Sequence, residues 1–498
     1  MNFFNKILYI IPNSLRFKII LFFMSLIMGV LLELISLGMI FPIVGTLFSS
    51  EVKLLNFDFL PYFQKLSDLL NQDLILVVLG ILFVIFFIKS LFFLYILWFQ
   101  NTFSEKISNL MSYNLFKKYL IADYQIHLKK NSSELIRNVS GEVQVFIKQV
   151  LVPILVLTMD ILIFIGIIFL VISIEAKASI YLLFAYFFFG FLYIISIKKK
   201  LYKFGLERQF HDGMRIKSSI NAFHGIKTVK IFNKEIEFLN NFMFHTKSLN
   251  RIGKIVGIIL QIPRQIIELI TVSSFIFLTI FLLKDVSNVT NIMPQLALFV
   301  ASAFRLIPCI NRFIYNYQLI RTGYPCINKL YDEYLLLDKK RSPENNLEEK
   351  IEFKEKIELK NISFSYNDSK KIFNNLNFVI KKGDSIGIVG KTGEGKTTFL
   401  DILLGLITPT SGEILIDNLK LKKNIKQWQE LVGYVPQNTF LLDESIKKNI
   451  TLQSSDDLSE KDLDNAINFS QVFEFTKKME DGVNTIIGDR GTRISGGQ

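Results

Sequence analysis

Six long apolar runs constrain this chain more than any other feature. They lie near 17–48, 74–99, 150–172, 178–197, 255–283 and 291–320. Each is long enough to cross the hydrocarbon core of a bilayer. Inside that core every backbone N–H and C=O must be satisfied within the protein, and a helix does this by itself. Residues 17–337 are therefore expected to form a membrane α-helical bundle of six transmembrane helices. A soluble protein with buried apolar helices conflicts with the length of the runs and with the charges between them.

The net charge is +13. Such a balance can mark a nucleic-acid partner, but its placement argues against one. The stretch 100–149 carries Lys106, Lys117, Lys118, Lys129, Lys130, Arg137 and Lys148, and 198–254 is more basic still, opening on Lys198-Lys199-Lys200. The alternate connections 49–73, 173–177 and 284–290 are short and near neutral or acidic. Basic loops stay on the cytoplasmic side of a membrane, so both termini are expected there too. Both basic loops are too long for turns. They read as helical extensions of the spans, with Asn131 as an N-cap and Glu134 three residues on.

Met1 to Arg16 is mixed apolar and basic without a small-residue cleavage site, which predicts an interfacial amphipathic helix over 1–16. Phe59, Leu60, Phe63, Leu66 and Leu70 recur at helical spacing, with Pro61 in the first turn. They predict a short helix over 59–70 on the outer surface. Cys309 and Cys326 lie in or beside an apolar span without metal-ligand spacing and read as apolar filler. The four histidines stand apart in hydrophilic stretches and read as solvated surface.

Residues 338–350 are charged, contain Pro343 and Asn345-Asn346, and lack an apolar face: a linker. Beyond it, over 351–498, the apolar runs shorten to strand length. There Gly390-Lys391-Thr392-Gly393-Glu394-Gly395-Lys396-Thr397 fits the phosphate-binding loop G-x-x-x-x-G-K-[ST]. Ser385 to Val389 reads as a short buried strand before it, and Thr398 to Leu406 as a helix after it. Triphosphate oxygens need many donors at short range and little bulk. The three glycines let the backbone turn its N–H groups inward, and the helix adds its positive end. Lys396 can reach the β- and γ-phosphates, and the Thr397 hydroxyl can ligate Mg²⁺. The second domain is thus expected to be an α/β P-loop nucleotide-binding domain for ATP and Mg²⁺, with Thr398 completing the ATP-binding set.

Six spans, two long cytoplasmic loops, this loop and the ending Ile494-Ser495-Gly496-Gly497-Gln498 together resemble an ATP-binding cassette exporter half-transporter. The resemblance implies several roles. Tyr366 would stack on adenine. Gln437, in Tyr434-Val435-Pro436-Gln437, would sense the γ-phosphate and reach Mg²⁺. Gly488-Asp489-Arg490-Gly491 would touch the tips of the cytoplasmic loops, whose coupling helices fall around Tyr124 to Lys130 and ahead of Asn221 to Lys230. The signature Ser495, Gly496, Gly497 and Gln498, with Ile494 in place of the usual leucine, would contact ATP held by a second half-transporter. A homodimer is the simplest assembly. The family continues past the signature to a Mg²⁺-binding aspartate, a catalytic glutamate and a switch histidine. None of these lies within the chain, so no catalytic residue is assigned. The nucleotide domain is expected to be truncated at the signature, a piece of a longer reading frame, with apolar surface left exposed. An ATP-binding membrane protein that does not transport is the alternative.

Charges inside spans are costly and mark function by default. Lys89, Arg264, Arg305 and Arg312 are the candidate substrate-cavity residues, and Glu33 lies mid-span. Arg264 precedes Glu268 by four residues, the spacing of a helical ion pair. Arg305 and Arg312 are seven apart and share a helix face. A belt of cations suits an amphiphile with an anionic head. The stretch Leu31 to Pro42 is similar to bacterial lipid-linked oligosaccharide flippases. That implies translocation of a lipid-pyrophosphate-linked oligosaccharide across the bacterial cytoplasmic membrane. Lipid A, a peptide or a drug are the alternative cargoes.

Overall fold

The computed structural model describes residues 2–38, 74–174, 176–283, 289–339, 351–366, 371–437, 439–452, 459–488 and 491–495. The chain divides into two compact units, Met1–Glu344 and Asn345–Gln498.

The first unit is helical. Its elements are α1 (Phe3–Ile10), α2 (Arg16–Gly38), α3 (Leu74–Ile121), α4 (Tyr124–Lys129), α5 (Val152–Ile174), α6 (Ala176–His224), α7 (Ile226–Ile231), α8 (Glu235–Leu283) and α9 (Val289–Lys339). The described parts of all six apolar runs fall on helices. Among the described residues four stretches are long and apolar enough to cross a membrane: Phe17–Ser36, Leu79–Ile121, Ser132–Gly166 and Glu235–Phe277. The runs at 178–197 and 291–320 lie within α6 and α9, where many side chains are outside the described ones. The outer helix expected over 59–70, and residues 340–350 of the linker, also lie outside the described residues.

Several helices run well past bilayer thickness, 48 residues in α3, 49 in α6 and α8 and 51 in α9. The extensions are held by their own core, in which Ile107, Met111, Leu115, Phe146, Val150, Ile327 and Leu330 are buried. Close approach is permitted by glycine. A Cβ on Gly323 would lie 2.9 Å from both Gln149 Cβ and Val150 Cγ2, and one on Gly205 would strike the Thr322 carbonyl. The apolar face of α1 joins this core through Ile7 and Ile10. Phe3 stacks on Tyr324 at 5.6 Å, and Lys6 Nζ donates to Asn328 Oδ1 at 2.8 Å. That face is spent on α9, while Phe4 and Leu8 on the other side stay exposed.

The segment that leads into α5 is irregular. Ser132–Ile136 is followed by two π-helical stretches, Arg137–Glu142 and Ile147–Leu151. π-turns rotate side chains out of the usual helical register. Here Arg137, Asn138 and Glu142 are all buried. Glu142 accepts from Arg208 Nη2 at 3.2 Å and lies 3.8 Å from Arg137 Nε. A second buried carboxylate, Glu333, gathers Lys130, Lys329 at 3.3 Å and the Tyr119 hydroxyl at 2.9 Å. Burial and the Glu333 charge push the Tyr119 phenol well above its ordinary range.

The histidine reading needs correction. His211 on α6 and His245 on α8 are not isolated: their Nδ1 atoms lie 2.9 Å apart. The ring centroids are 5.2 Å apart, the spacing of two rings aimed head-on. One proton between the nitrogens satisfies both; two would repel. Sequence alone missed the pair because it depends on the register of two long antiparallel helices. Burial first, then the neighbouring ring, holds His245 below the ordinary value of 6.5. Asp212, bound to Arg215 at 2.8 Å, and Arg208 flank His211 in sequence on α6, and Lys247 follows His245 on α8. Among the described residues none of them bonds either ring. The unfolded chain therefore takes up the proton first as pH falls. The contact should be intact above the ordinary imidazole value and weaken as pH drops through the lower, folded one. Amide exchange beside the two rings, corrected for intrinsic rates, should quicken as pH falls below the ordinary imidazole value of about 6.5 in the native protein and not in His245→Gln.

In the second unit an antiparallel sheet has the order β2–β1–β3–β4, formed by β1 (Lys356–Ser365), β2 (Lys371–Lys381), β3 (Ser411–Ile416) and β4 (Leu419–Lys420). Ile357, Leu359, Ile362 and Phe364 alternate inward from β1 and pack with Ile402, Ile407, Ile416 and Trp428. The helix α10 (Lys396–Leu403) closes one side through Ile402. The expected buried strand Ser385 to Val389 is not formed. Its residues are in no strand, and Val389 is 96% exposed. A central strand takes its hydrogen bonds from neighbours, and among the described residues nothing pairs with it. Val435, 91% exposed, is in the same situation.

Candidate functional site

The phosphate-binding loop lies between residue 389 and α10. Gly393 and Gly395 adopt φ +86° and +98°, the left-handed region that a side chain resists. Gly395 is the N-cap of α10, and a Cβ there would lie 2.5 Å from Ile372 Cγ2. Lys396 turns back over the loop. Its ammonium donates to the Gly390 carbonyl at 2.6 Å and to the Lys391 carbonyl at 3.0 Å. The Glu394 carboxylate accepts from the Lys391 N–H at 2.7 Å. The loop thus already holds an anionic oxygen on a backbone donor and a cation above its carbonyls. Both are the contacts that triphosphate oxygens would take over, so the residues present fit the group.

Tyr366 directly follows β1. Its hydroxyl lies 3.2 Å from Thr398 Oγ1, and its ring meets Phe364 edge-on at 4.9 Å. Thr398 is buried while Tyr366 is 41% exposed. One hydrogen bond therefore fixes an open aromatic face next to the first turn of α10. Thr392 and Thr397 are exposed, and Gln437 is exposed. Among the described residues no bond joins Gln437 to the loop. Ser495 is described; Gly496, Gly497 and Gln498 are not, nor are Asp489 and Arg490. A short helix, α4, forms where the first coupling helix is expected near Tyr124, and the short helix of the second loop, α7, starts within 221–230.

The intramembrane charges are arranged in pairs. Lys89 on α3 is buried and meets Glu33 on α2 at 3.0 Å, with Ser36 Oγ at 3.3 Å. Arg264 meets Glu268 at 3.0 Å on the exposed side of α8. Arg312 on α9 gives Nη2 and Nε to one oxygen of Asp160 on α5, at 2.8 and 2.9 Å. Arg305 lies on α9, but its side chain is outside the described ones. The three described candidates, Lys89, Arg264 and Arg312, thus each stand beside a carboxylate. A lone charge in a span costs more than a compensated one, which is why the carboxylates are there. Asp160 was missed by sequence reasoning, although a carboxylate within an apolar run was signal enough. Both cysteines are buried, and each thiol donates to the carbonyl of a buried acid, Cys309 to Asp160 at 3.2 Å and Cys326 to Glu142 at 3.0 Å.

Two families match. ABC transporter transmembrane region covers residues 19–304, and ABC transporter covers 373–498. The alpha-hemolysin translocation ATP-binding protein HlyB of Escherichia coli O157:H7 is 40% identical over 144 residues, 28% of this chain and 20% of that protein. The ATP-dependent lipid A-core flippase of Francisella tularensis subsp. holarctica is 30% identical over 168 residues, 34% of this chain and 27% of that protein. The matched stretch thus spans under a third of each relative's length. A bacterial Atm1-family ABC exporter with ATP bound superposes with TM-score 0.75 at 16% identity, covering 98% of this chain and 82% of that one. That likeness establishes the fold.

Proposed function

This chain belongs to the ABC transporter family, and we propose that it is an exporter half that couples ATP to translocation of an amphiphile across the bacterial cytoplasmic membrane. The observation that carries this reading is the loop: a lysine held over a glycine turn that already holds an anionic oxygen. ATP would displace Glu394 from the Lys391 N–H and draw the Lys396 ammonium from the carbonyls to its phosphates. Tyr366 would receive the adenine face. Bound Mg²⁺ would neutralise phosphate charge, with the Thr397 hydroxyl and the Gln437 amide as its protein ligands. Ser495, Gly496, Gly497 and Gln498 would close on the nucleotide of a second copy, so that binding drives the membrane halves from inward to outward access. Both termini and the basic loops would be cytoplasmic. Exposed Val389 and Val435 support a cassette whose sheet is completed by further strands.

For the cargo we propose a lipid-pyrophosphate-linked oligosaccharide. Arg312 supports it: half of its side chain is exposed, and two of its five N–H groups are used by Asp160. The remaining donors suit phosphate oxygens. The test is reconstitution of the product of the whole reading frame in liposomes with fluorescent lipid-linked oligosaccharide, lipid A or a peptide. ATP-dependent movement of the oligosaccharide lipid alone is expected. Movement of lipid A or the peptide in its place would overturn the cargo assignment.

A further inference from the structure

Asp160 is in a position that stability does not explain. It is 1% exposed, inside an apolar span, and surrounded by Ile163, Cys309, Ile310 and the partly buried Met159. One carboxylate oxygen takes both bonds from Arg312. The other, Oδ2, is buried and without a hydrogen-bond partner among the described residues. A buried ion pair seldom outperforms apolar packing of similar volume, and a bare carboxylate oxygen adds cost. Joining α5 to α9 needs no charge here, because apolar side chains already do so. Deleting Asp160 in favour of leucine would suit a purely structural contact better.

What Asp160 does supply is orientation. Nε and Nη2 of Arg312 converge on a single oxygen, which fixes the plane of the guanidinium and leaves its Nη1 edge without a bond among the described residues. That side chain is half exposed, whereas the carboxylate behind it is not. Glu33, paired with Lys89, lies within electrostatic reach of Arg312. Two ion pairs, from α2, α3, α5 and α9, therefore lie within electrostatic reach of each other. A guanidinium held in this way recognises an anion by hydrogen-bond geometry at contact.

We propose that Asp160 is a positioning residue for cargo, holding the free edge of Arg312 toward an anionic oxygen group of the amphiphile. This rests on the cargo reading above. The probes are a fluorescent polyprenyl pyrophosphate and the matching neutral polyprenol, titrated against the purified protein in detergent. Native protein should prefer the pyrophosphate. Asp160→Leu, which removes the acceptor, should weaken pyrophosphate binding roughly tenfold and leave polyprenol binding unchanged. The exchange of Asp160→Arg with Arg312→Asp should recover the native melting temperature but not the preference. A structural role predicts the opposite: the exchange would restore both. Unchanged pyrophosphate affinity in Asp160→Leu, or full recovery in the exchanged protein, overturns the proposal while the cargo reading stands. Equal affinity of the native protein for both probes overturns the cargo reading, and the positioning role with it.

Discussion

Lys396→Ala should lower ATP affinity about a hundredfold or more. The ammonium makes two short bonds to the Gly390 and Lys391 carbonyls. Those positions mark where it stands relative to the loop, and phosphate oxygens would replace the carbonyls as acceptors. Charge-assisted hydrogen bonds contribute about 1.5–3 kcal/mol each, so losing two removes at least two decades of affinity. The loss should be confined to nucleotide, because the ammonium does not touch the sheet core. Binding of a fluorescent ATP analogue measures the first effect, and thermal unfolding of the cassette measures the second. Lys396→Arg should not rescue binding. A planar fork cannot replace a compact point charge curled over six residues of backbone. Retained nucleotide affinity in Lys396→Ala would remove the loop from the mechanism. A large fall in melting temperature would instead make Lys396 a structural cap of its own loop.

The parts legible in the sequence were those with local causes. Apolar length marked the helices that carry the long apolar runs, because backbone satisfaction in lipid depends on the segment alone. The phosphate-binding loop was legible for a similar reason: glycine conformation, lysine reach and helix start all lie within eight residues. Tyr366 came from the family resemblance, and the structure places its hydroxyl at Thr398. What was not legible depended on register between distant helices. His211 and His245 meet across two helices of 49 residues each, and a shift of one residue in either would part them. The ion pairs Glu33–Lys89 and Asp160–Arg312 lie 56 and 152 residues apart in sequence. Sequence spacing could pair Arg264 with Glu268 on the same helix, whereas the carboxylates beside Lys89 and Arg312 stand on other helices. The strand at 385–389 failed for a related reason: an apolar run of strand length forms a strand only where a neighbour supplies the ladder.

Glu142→Ala should destabilise the first unit by about 3–5 kcal/mol, more than any surface ion pair there. Glu142 is fully buried and faces Arg208 at 3.2 Å and Arg137 at 3.8 Å. The π-helical stretch Arg137–Glu142 turns both members of its charge pair inward, and α6 supplies the third. Removal of the carboxylate leaves two guanidinium groups in a space from which water is largely excluded. Arg137 Nε and Arg208 Nε already lack hydrogen-bond partners among the described residues, so neither has slack to absorb the loss. Glu142→Gln should cost less, because an amide oxygen still accepts from Arg208. The triple change Glu142→Leu, Arg137→Leu, Arg208→Met should regain most of the stability, since an apolar replacement of a whole buried triad is close to neutral. The control is Glu207→Ala, which breaks an exposed pair with Lys203 at 3.8 Å and should change stability by less than about 1 kcal/mol. Thermal unfolding of the purified protein in detergent compares all four. If Glu142→Ala melts together with Glu207→Ala, the buried triad is solvated in the working protein. The π-turns would then have to be explained by something other than the charges they bury.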